Sequence, residues 1–415
     1  MPGYRERPTP ADTSATIPVE VRLTRHGVRS DPLRREQDRP VTSIELFFDV
    51  VYVLAVTQLT ELLLGRLTPV GTAQAGLLLL AVWWAWVDTA WITNWFDPDR
   101  NRIRLMLIVL AGVSLVMSSA IPEAYGDRGL WFAGAYVVLE VGRSLFVVST
   151  LPGQPALRRN LQRLLTWRAV SAPLWLAGGV VSGSTRTALW AAAVFLDTTS
   201  AACGFYVPGW GRSLASEWAI SGAHLAERAR LFIIIALGES ILVTGSTLQH
   251  ARPDPATLIA LAANFLGTVG LWWIYFDRSA GAAQAAIAAS EEPGRLGRSA
   301  YTYLHIPMVA GIILTAVGDE LTITHPTGTT HSPVVFGVLA GPALFLVGFF
   351  LFKRLVLEVR ALPYLVAVVV LVGLAPLGPL LEPVVLSVLA SLVVVATAAV
   401  SSVVAARAAG SHAQG

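Results

Sequence analysis

Several acidic side chains fall within long apolar stretches of the sequence, where an ionisable group needs a physical reason to be present. Glu45 and Asp49 lie in the first apolar stretch and, because they are four residues apart, share one face of a helix. Asp88 ends the second stretch, and Glu239 lies in the middle of a later one. A charged side chain inside a membrane-spanning helix costs about 2.5–3.5 kcal/mol, so we expect these acids to have a function such as binding protons or cations.

Glu239 is the strongest candidate for proton exchange. It lies roughly 12 Å along the helix axis from Leu231, where we place the start of its helix. Apolar surroundings disfavour the charged form of a carboxylic acid, which suits such a group to proton uptake. In the alternative, Glu239 is a neutral acid that hydrogen-bonds the backbone of Gly238 or Ser240 and holds two helices together.

The other candidates also have structural alternatives. Glu45 and Asp49 could be stabilised by the positive end of a helix dipole. His305, after the eighth apolar stretch, is either a proton relay or a histidine hydrogen-bonded within the bundle. Asp88 and Asp277 lie near the expected membrane interface, where Arg100 or Arg278 could pair with them as topology anchors.

Two further acids are expected to be structural. Glu140 and Arg143 are three residues apart and predict an ion pair inside the bundle. Asp197 is a candidate partner for Arg168. Small residues are expected to let helices approach closely, or else to act as hinges, at Gly238, Gly245, Gly267 and Gly270.

The composition excludes an ordinary soluble protein. The 415 residues are 54% hydrophobic and 14% charged, whereas a globular chain carries about 25% charged residues. The mean hydropathy is +0.61, and the apolar residues form long blocks, which predicts an all-α, multi-span membrane protein. The single cysteine, Cys203, excludes a disulfide within the chain and a cysteine-based zinc site. The arginine-rich start lacks an apolar core, so no cleavable signal peptide is expected.

Apolar runs bounded by charges, proline or glycine predict twelve spans, with ten or eleven as the alternative. The first, seventh and ninth runs carry polar residues and are the weakest by hydropathy. The predicted helices are Ile44–Leu64, Ala73–Trp95, Leu105–Ile121, Leu130–Leu151, Leu164–Val181, Thr187–Val207, Leu231–Thr247, Pro255–Phe276, Tyr301–Val317, Val334–Phe352, Leu362–Leu381 and Val384–Ala406.

The distribution of arginine favours twelve spans with both termini in the cytoplasm. Most of the 30 Arg and Lys residues lie in the N-terminal tail and the even-numbered connections. Cationic segments are hard to translocate, and the odd-numbered connections contain only Arg66, Arg128, Arg186 and Arg252. The predicted organisation is a disordered cytoplasmic tail (1–43), a first six-helix half (44–207), a cytoplasmic connection (208–230), a second six-helix half (231–406) and a short cytoplasmic tail (407–415).

One pattern occurs twice in the chain. Trp83–Asp88 and Trp272–Asp277 both read Trp-Trp-x-aromatic-x-Asp, and a similar offset brings Glu45 onto Glu227. Six spans in each half would make the halves parallel repeats, as in transporters whose halves are related by an axis along the membrane normal. The alternative is that Trp and Asp simply favour the membrane interface, where we expect most of the 13 tryptophans.

The candidate residues fall into three motifs. They are Glu45–Asp49 followed by Val53–Leu59, His224-x-x-Glu227-Arg228 leading into Leu231–Ser240, and His305-Ile306-Pro307 followed by Gly311. Together these motifs resemble the bacterial low-temperature-requirement protein A family. The resemblance implies a polytopic protein of the bacterial inner membrane, linked by name to growth in the cold, and implies no reaction. Ala229-Arg230 departs from the Phe-Gly that this family leads us to expect.

We predict a secondary transporter or ion pathway between the two halves, in which Asp49, Glu239 and His305 line a route for protons or cations and a small solute. The alternative is a non-transporting membrane protein that supports the envelope or senses cold. An enzyme is not expected, because the sequence has no Gly-x-Ser-x-Gly elbow and no phosphate-binding loop. A membrane-embedded transferase using His and Asp is the third alternative.

The expected partners are membrane lipids, whose anionic headgroups would contact the arginine-rich side. No cofactor, metal or nucleic acid is expected, and no feature indicates an oligomeric state. His224-x-x-Glu227 has a metal-like spacing but occurs once, which favours helix capping and headgroup contact over a metal site.

Overall fold

The computed structural model describes residues 40–151, 155–213, 218, 222–250, 254–276, 279–290, 293–359 and 361–412. Helices dominate these ranges, whose only β-type pairing is a single bridge between Val207 and Gly211. Helices satisfy their own backbone hydrogen bonds, as a chain in a bilayer requires. The prediction of an all-α, polytopic membrane protein is confirmed.

We number the long helices of the described residues in chain order. They are α1 (Ser43–Leu64), α2 (Pro69–Trp95), α3 (Asn101–Ala120), α4 (Gly129–Thr150), α5 (Pro155–Val180), α6 (Gly183–Ala202), α7 (Gly222–His250), α8 (Pro255–Phe276), α9 (Gly294–Thr324), α10 (Ser332–Val356), α11 (Leu362–Leu380) and α12 (Pro383–His412). All except α5 and α6 are long and apolar enough to cross a membrane. The described residues therefore contain ten candidate spans, and the number of twelve stays a prediction.

The start of α7 differs from the sequence prediction. The helix begins at Gly222 rather than Leu231, so His224, Glu227 and Arg228 lie inside it and not in a connection. Arg228 lies inside the helix because two carboxylates of α1 neutralise it, as described below. Composition alone does not reveal such partners.

Several other helix ends also differ, among them the start of α5, which lies at Pro155 rather than at Leu164. α9 continues to Thr324, beyond the predicted Val317, which brings Asp319 into the helix. α6 ends at Ala202, before the predicted Val207. Its helical path stops because the backbone turns through positive φ angles of 64° at Gly204 and 49° at Phe205.

The helices of each half pair in the same order. α1 packs on α2 and α3, α3 on α4, α4 on α5, α5 on α6, and α2 on α6. In the second half, α7 packs on α8 and α9, α9 on α10, α10 on α11, α11 on α12, and α8 on α12. The two halves meet where α1 and α2 contact α7 and α9.

Two glycines bring α9 and α10 into direct backbone contact. A Cβ at Gly318 would lie 2.7 Å from the carbonyl carbon of Gly337, and a Cβ at Gly337 would lie 2.9 Å from Gly318 Cα. Only glycine allows two backbones to come this close, because it has no side chain. This contact fixes the spacing of the two helices.

The four glycines predicted to permit close packing divide into two pairs. A Cβ at Gly267 or Gly270 of α8 would come within 2.9 Å or 2.8 Å of α12, which confirms the prediction there. At Gly238 and Gly245 of α7 a Cβ would meet no atom within 4 Å, so the prediction is wrong for these two. No neighbouring helix packs against them closely enough to require glycine.

The duplicated tryptophan motif occupies two different environments. Trp83, Trp84 and Trp86 are buried, with 1–2% of each side chain exposed, whereas Trp272 and Trp273 are 44% and 50% exposed. The predicted interfacial position is therefore wrong for the first copy. Its indole N–H groups are buried because each finds an acceptor: Thr302 O, Thr198 Oγ1 and Asp49 Oδ1, respectively.

Replacing Gly318 by Ala should lower the Tm of the detergent-purified protein, because overpacking a tight contact costs about 1–3 kcal/mol. Gly373 of α11 is the matched control, since a Cβ there would meet no atom within 4 Å. A helical Gly→Ala change without a clash stabilises by about 0.5–1 kcal/mol. Thermal unfolding followed by tryptophan fluorescence should therefore give shifts of opposite sign. Equal shifts in the Tm for Gly318→Ala and Gly373→Ala would contradict the close backbone contact between α9 and α10.

Candidate functional site

Polar residues on one face of α1 line the contact between the two halves. Around a helix with 3.6 residues per turn, Asp49, Thr57 and Glu61 lie about 40°, about 120° and about 160° from Glu45, so Glu45, Asp49 and Thr57 share one side and Glu61 lies beyond its edge. α7 of the second half supplies partners for Glu45, Asp49 and Thr57, whereas the exposed Glu61 accepts a hydrogen bond from Gln58 of α1. We call the following set the polar seam: Glu45, Asp49, Thr57 and Glu61 of α1 with His224, Arg228 and Glu239 of α7.

Arg228 neutralises one end of the polar seam. Its guanidinium group lies 3.2 Å from Glu45 Oε1 and 2.5 Å from Asp49 Oδ1. It also donates a hydrogen bond of 3.1 Å to Thr93 Oγ1 of α2. All three charged side chains are buried, and a buried charge is tolerated only when it is paired. Arg228 therefore explains how two acids can lie inside α1.

Glu45 has further partners on both sides. His224 Nε2 lies 2.9 Å from Glu45 Oε1. The backbone N–H and the hydroxyl of Thr42 both donate to Glu45 Oε2 at 2.9 Å and cap the start of α1. Glu227 accepts a hydrogen bond from the backbone N–H of Val41. Because His224 is buried, the predicted headgroup contact is wrong for this side chain. Among the described residues, no three His, Cys, Asp or Glu side chains are grouped to hold a metal ion.

Aromatic side chains divide the polar seam between Asp49 and Thr57. Trp86 of α2 donates its indole N–H to Asp49 Oδ1 at 2.7 Å. The ring centroid of Phe232 in α7 lies 4.5 Å from that of Trp86 and 6.2 Å from that of Tyr52 in α1. The eight-residue spacing along α1 amounts to about 12 Å. The Arg228 end of the seam is therefore separated from Glu239 by packed rings.

Glu239 occupies the other part of the polar seam and differs from Glu45 and Asp49. It is 1% exposed, and the Thr57 hydroxyl donates to its Oε2 at 2.6 Å. Its Oε1 has no hydrogen-bond partner in the described part of the chain. Glu61 and Glu320 lie close enough to act on it electrostatically. With no arginine or lysine bound to it, Glu239 can change its protonation without breaking an ion pair.

A second network of buried charges lies within the first half. Arg143 lies 3.2 Å from Asp88 and 2.8 Å from Glu140. Arg168 lies 2.6 Å from Asp88 and 2.8 Å from Glu140. The same guanidinium group lies 2.8 Å from Asp197. The predicted pairs Glu140–Arg143 and Arg168–Asp197 are confirmed.

The position of Asp88 corrects one alternative from the sequence. Arg100 does not pair with Asp88, because it contacts Asp97 at 3.5 Å. The network around Asp88 holds three carboxylates and two guanidinium groups, so it carries one excess negative charge when fully ionised. A wide, π-helical turn at Val138–Gly142 presents Glu140 to this network.

His305 is hydrogen-bonded within the bundle. Its Nδ1 lies 2.9 Å from the carbonyl oxygen of Ala300, and its Nε2 lies 2.8 Å from the hydroxyl of Tyr275. A carbonyl oxygen can only accept, so Nδ1 carries the proton and the neutral ring accepts from Tyr275. The structure does not bring His305 to Asp49 or Glu239. Asp277 lies outside the described residues.

A cavity of about 40 Å³ lies beside Asp88, between the two halves. Aromatic faces attract cations, and the Asp88 network adds its excess negative charge. Arg298 of α9, which is partly exposed, also lines the cavity. A cavity of this size has room for a few water molecules. The aromatic residues lining it are Trp84, Trp91, Trp95, Phe205 and Trp218.

Sequence reasoning missed two members of the site. Thr57, which binds Glu239, lies in the first motif eight residues after Asp49, and this helical spacing was the available signal. Trp86, which binds Asp49, belongs to the repeated motif but was assigned to the membrane interface. A polar side chain in a span indicates a partner without identifying it.

Replacing Arg168 by Met should destabilise the protein by about 3–5 kcal/mol, because buried Asp197 would lose its ion pair and Asp88 and Glu140 would share Arg143 alone. Thermal unfolding in detergent measures this loss. Arg158 is the matched control, since it lies on the same helix and is exposed. If Arg168→Met were as stable as Arg158→Met, the network would not be holding these helices together.

Comparison with known proteins agrees with this architecture. Residues 40–399 match the family model described as Bacterial low temperature requirement A protein (LtrA). A protein of Rhizobium meliloti (strain 1021), named Uncharacterized protein RA0937, is 37% identical over 321 residues, covering 77% of this chain and 78% of that protein. No solved structure matches the chain. The matched region runs from the start of α1 into α12, and the chain belongs to the bacterial low temperature requirement A family.

Proposed function

We propose that this protein is a secondary transporter or ion pathway in which protons or cations use the polar seam between α1 and α7. Membership of the LtrA family and the membrane-type helices support a function in the membrane. The seam lies at the contact between the halves, which is where transporters built from two halves bind their ions.

Glu239 is the observation that carries this proposal. Glu45 and Asp49 are bound to Arg228, so exchanging an ion at either site would first require breaking a buried ion pair. Glu239 has the hydroxyl of Thr57 on one oxygen and no partner on the other. It is therefore the member of the seam best suited to exchange.

In the proposed mechanism, protonation neutralises Glu239 and lowers the cost of moving it through apolar surroundings. Glu61 and Glu320 attract the ion at one end of the seam. The packing of Phe232 on Trp86 separates that end from the Arg228 cluster. Rocking of the halves changes this packing and couples ion uptake to movement.

Two parallel six-helix repeats are part of the proposal. The identical order of helix pairing in the two halves supports them. Trp86 and Tyr275 occupy equivalent positions in the repeated motif. Both donate to a buried polar side chain of the bundle, Asp49 in one half and His305 in the other. An even number of spans per half would place both repeats in the same orientation.

A second candidate function is a non-transporting membrane protein that supports the cell envelope in the cold. One observation favours it: Glu45, Asp49 and Asp88 are all bound to arginines, as purely structural contacts would be. The two functions differ in what they require of Glu239. A structural protein needs this acid only for packing.

Replacing Glu239 by Gln should abolish ion flux while leaving the protein folded, because the amide keeps the shape of the side chain and cannot exchange a proton. Purified protein in liposomes loaded with a pH-sensitive dye reports proton flux after a pH jump. Glu123→Gln is the matched control, since Glu123 is exposed in the connection between α3 and α4. Circular dichroism and gel filtration verify that both variants are folded.

The comparison decides between the two candidate functions. Flux in the wild type and in Glu123→Gln, together with none in Glu239→Gln, supports ion coupling. Wild-type liposomes no more permeable than protein-free ones, or flux unchanged by Glu239→Gln, would contradict it and favour the non-transporting function.

We also propose that the arginine-rich side of the bundle faces the cytoplasm and contacts the anionic headgroups of the cytoplasmic leaflet. Cys203 follows α6 on that side and is exposed. A membrane-impermeant maleimide should therefore label Cys203 in permeabilised cells and not in intact ones. With Cys203→Ser as background, Glu123→Cys should give the opposite result. Labelling of Cys203 in intact cells would contradict this orientation and place Cys203 outside the cytoplasm.

A further inference from the structure

We propose that Asp319 forms the core of a binding site for one monovalent cation of the size of Na⁺. The site is a small polar cavity between α8, α9 and α12, formed by other side chains than those of the polar seam. The residues that carry the argument are Asn264, Thr315, Asp319, Ser387 and Ser391.

Asp319 is a buried acid without a bound counter-charge. It is 6% exposed, and its Oδ2 has no hydrogen-bond partner among the described residues. No arginine or lysine lines the cavity. Asp88, by contrast, is held by two arginines. A buried carboxylate requires neutralisation, so a positive charge from outside the chain fits this position.

The neighbouring hydroxyl groups have their hydrogens directed elsewhere. Thr315 Oγ1 donates to Gly311 O at 2.8 Å, and Ser387 Oγ donates to Asn264 Oδ1 at 2.5 Å. The amide of Asn264 in turn donates to the backbone oxygen of Asp319 at 3.1 Å. The lone pairs of the two hydroxyl oxygens remain free to act as ligands. This arrangement suits a cation and offers few donors to an anion.

The size and charge of the site select the cation. The cavity measures about 20 Å³, which is room for about one water-sized occupant. Carboxylate and hydroxyl oxygens are ligands for hard cations. Ca²⁺ takes six to eight oxygen ligands, often from several carboxylates, whereas this cavity has one carboxylate. One negative charge is balanced by one monovalent ion.

Thermal unfolding of the full chain in detergent tests this site without any transport assay. At constant ionic strength, replacing choline chloride by NaCl should raise the Tm of the wild type by at least about 2 °C, because a ligand that binds the folded state stabilises it. Asp319→Asn should lose this Na⁺ dependence. Glu382→Gln, at an exposed acid immediately before α12, should keep it.

A second variant tests the site even if Asp319→Asn does not fold. Ser387→Ala removes one oxygen and should raise the half-maximal Na⁺ concentration about tenfold. A wild-type Tm that does not respond to Na⁺, or equal loss of the Na⁺ response in Asp319→Asn and Glu382→Gln, would overturn the proposal. Stability that depends on pH through Asp319 without any Na⁺ effect would also overturn it, since a proton would then be the bound species.

Discussion

The fold depends on one requirement: a charge that is buried away from water needs a counter-charge beside it. Arg228 of the second half supplies this counter-charge to two acids of the first half. Its guanidinium group reaches from α7 to Glu45 and Asp49 on α1. Each of these three side chains would be costly alone in the bundle. Because the partners lie about 180 residues apart in sequence, this one cluster specifies how the second half docks on the first.

The buried acids of the described residues fall into two chemical groups. Glu45, Asp49, Asp88, Glu140 and Asp197 are bound to arginines, and they hold helices together. Glu239 and Asp319 have hydroxyl neighbours instead, and each keeps an oxygen without a partner. The first group connects helices through buried ion pairs, and the second consists of the two acids at which we propose that a proton or small cation binds. The neighbours of a buried acid thus determine whether it is paired within the protein.

The sequence was sufficient for the class of fold and insufficient for the partners. Apolar blocks located the helices, and Pro255–Phe276 matches the prediction at both ends. The local pair Glu140–Arg143 was predictable because it lies within one helix. The sequence predicts a connection at Arg228 and a helix end before Asp319, because a charge normally marks the end of a span. Only the packed structure reveals that distant residues neutralise or surround them.

The contact between Gly318 and Gly337 has a mechanical consequence. Two backbones that touch leave no side chain between them whose rotamer could change to absorb a displacement. α9 and α10 therefore move as one rigid unit, and α9 also packs on α7 and α1. A shift of α7 along α1 is thus transmitted through α9 to the far side of the second half. Conformational freedom then resides in the side-chain contacts of the other helix pairs.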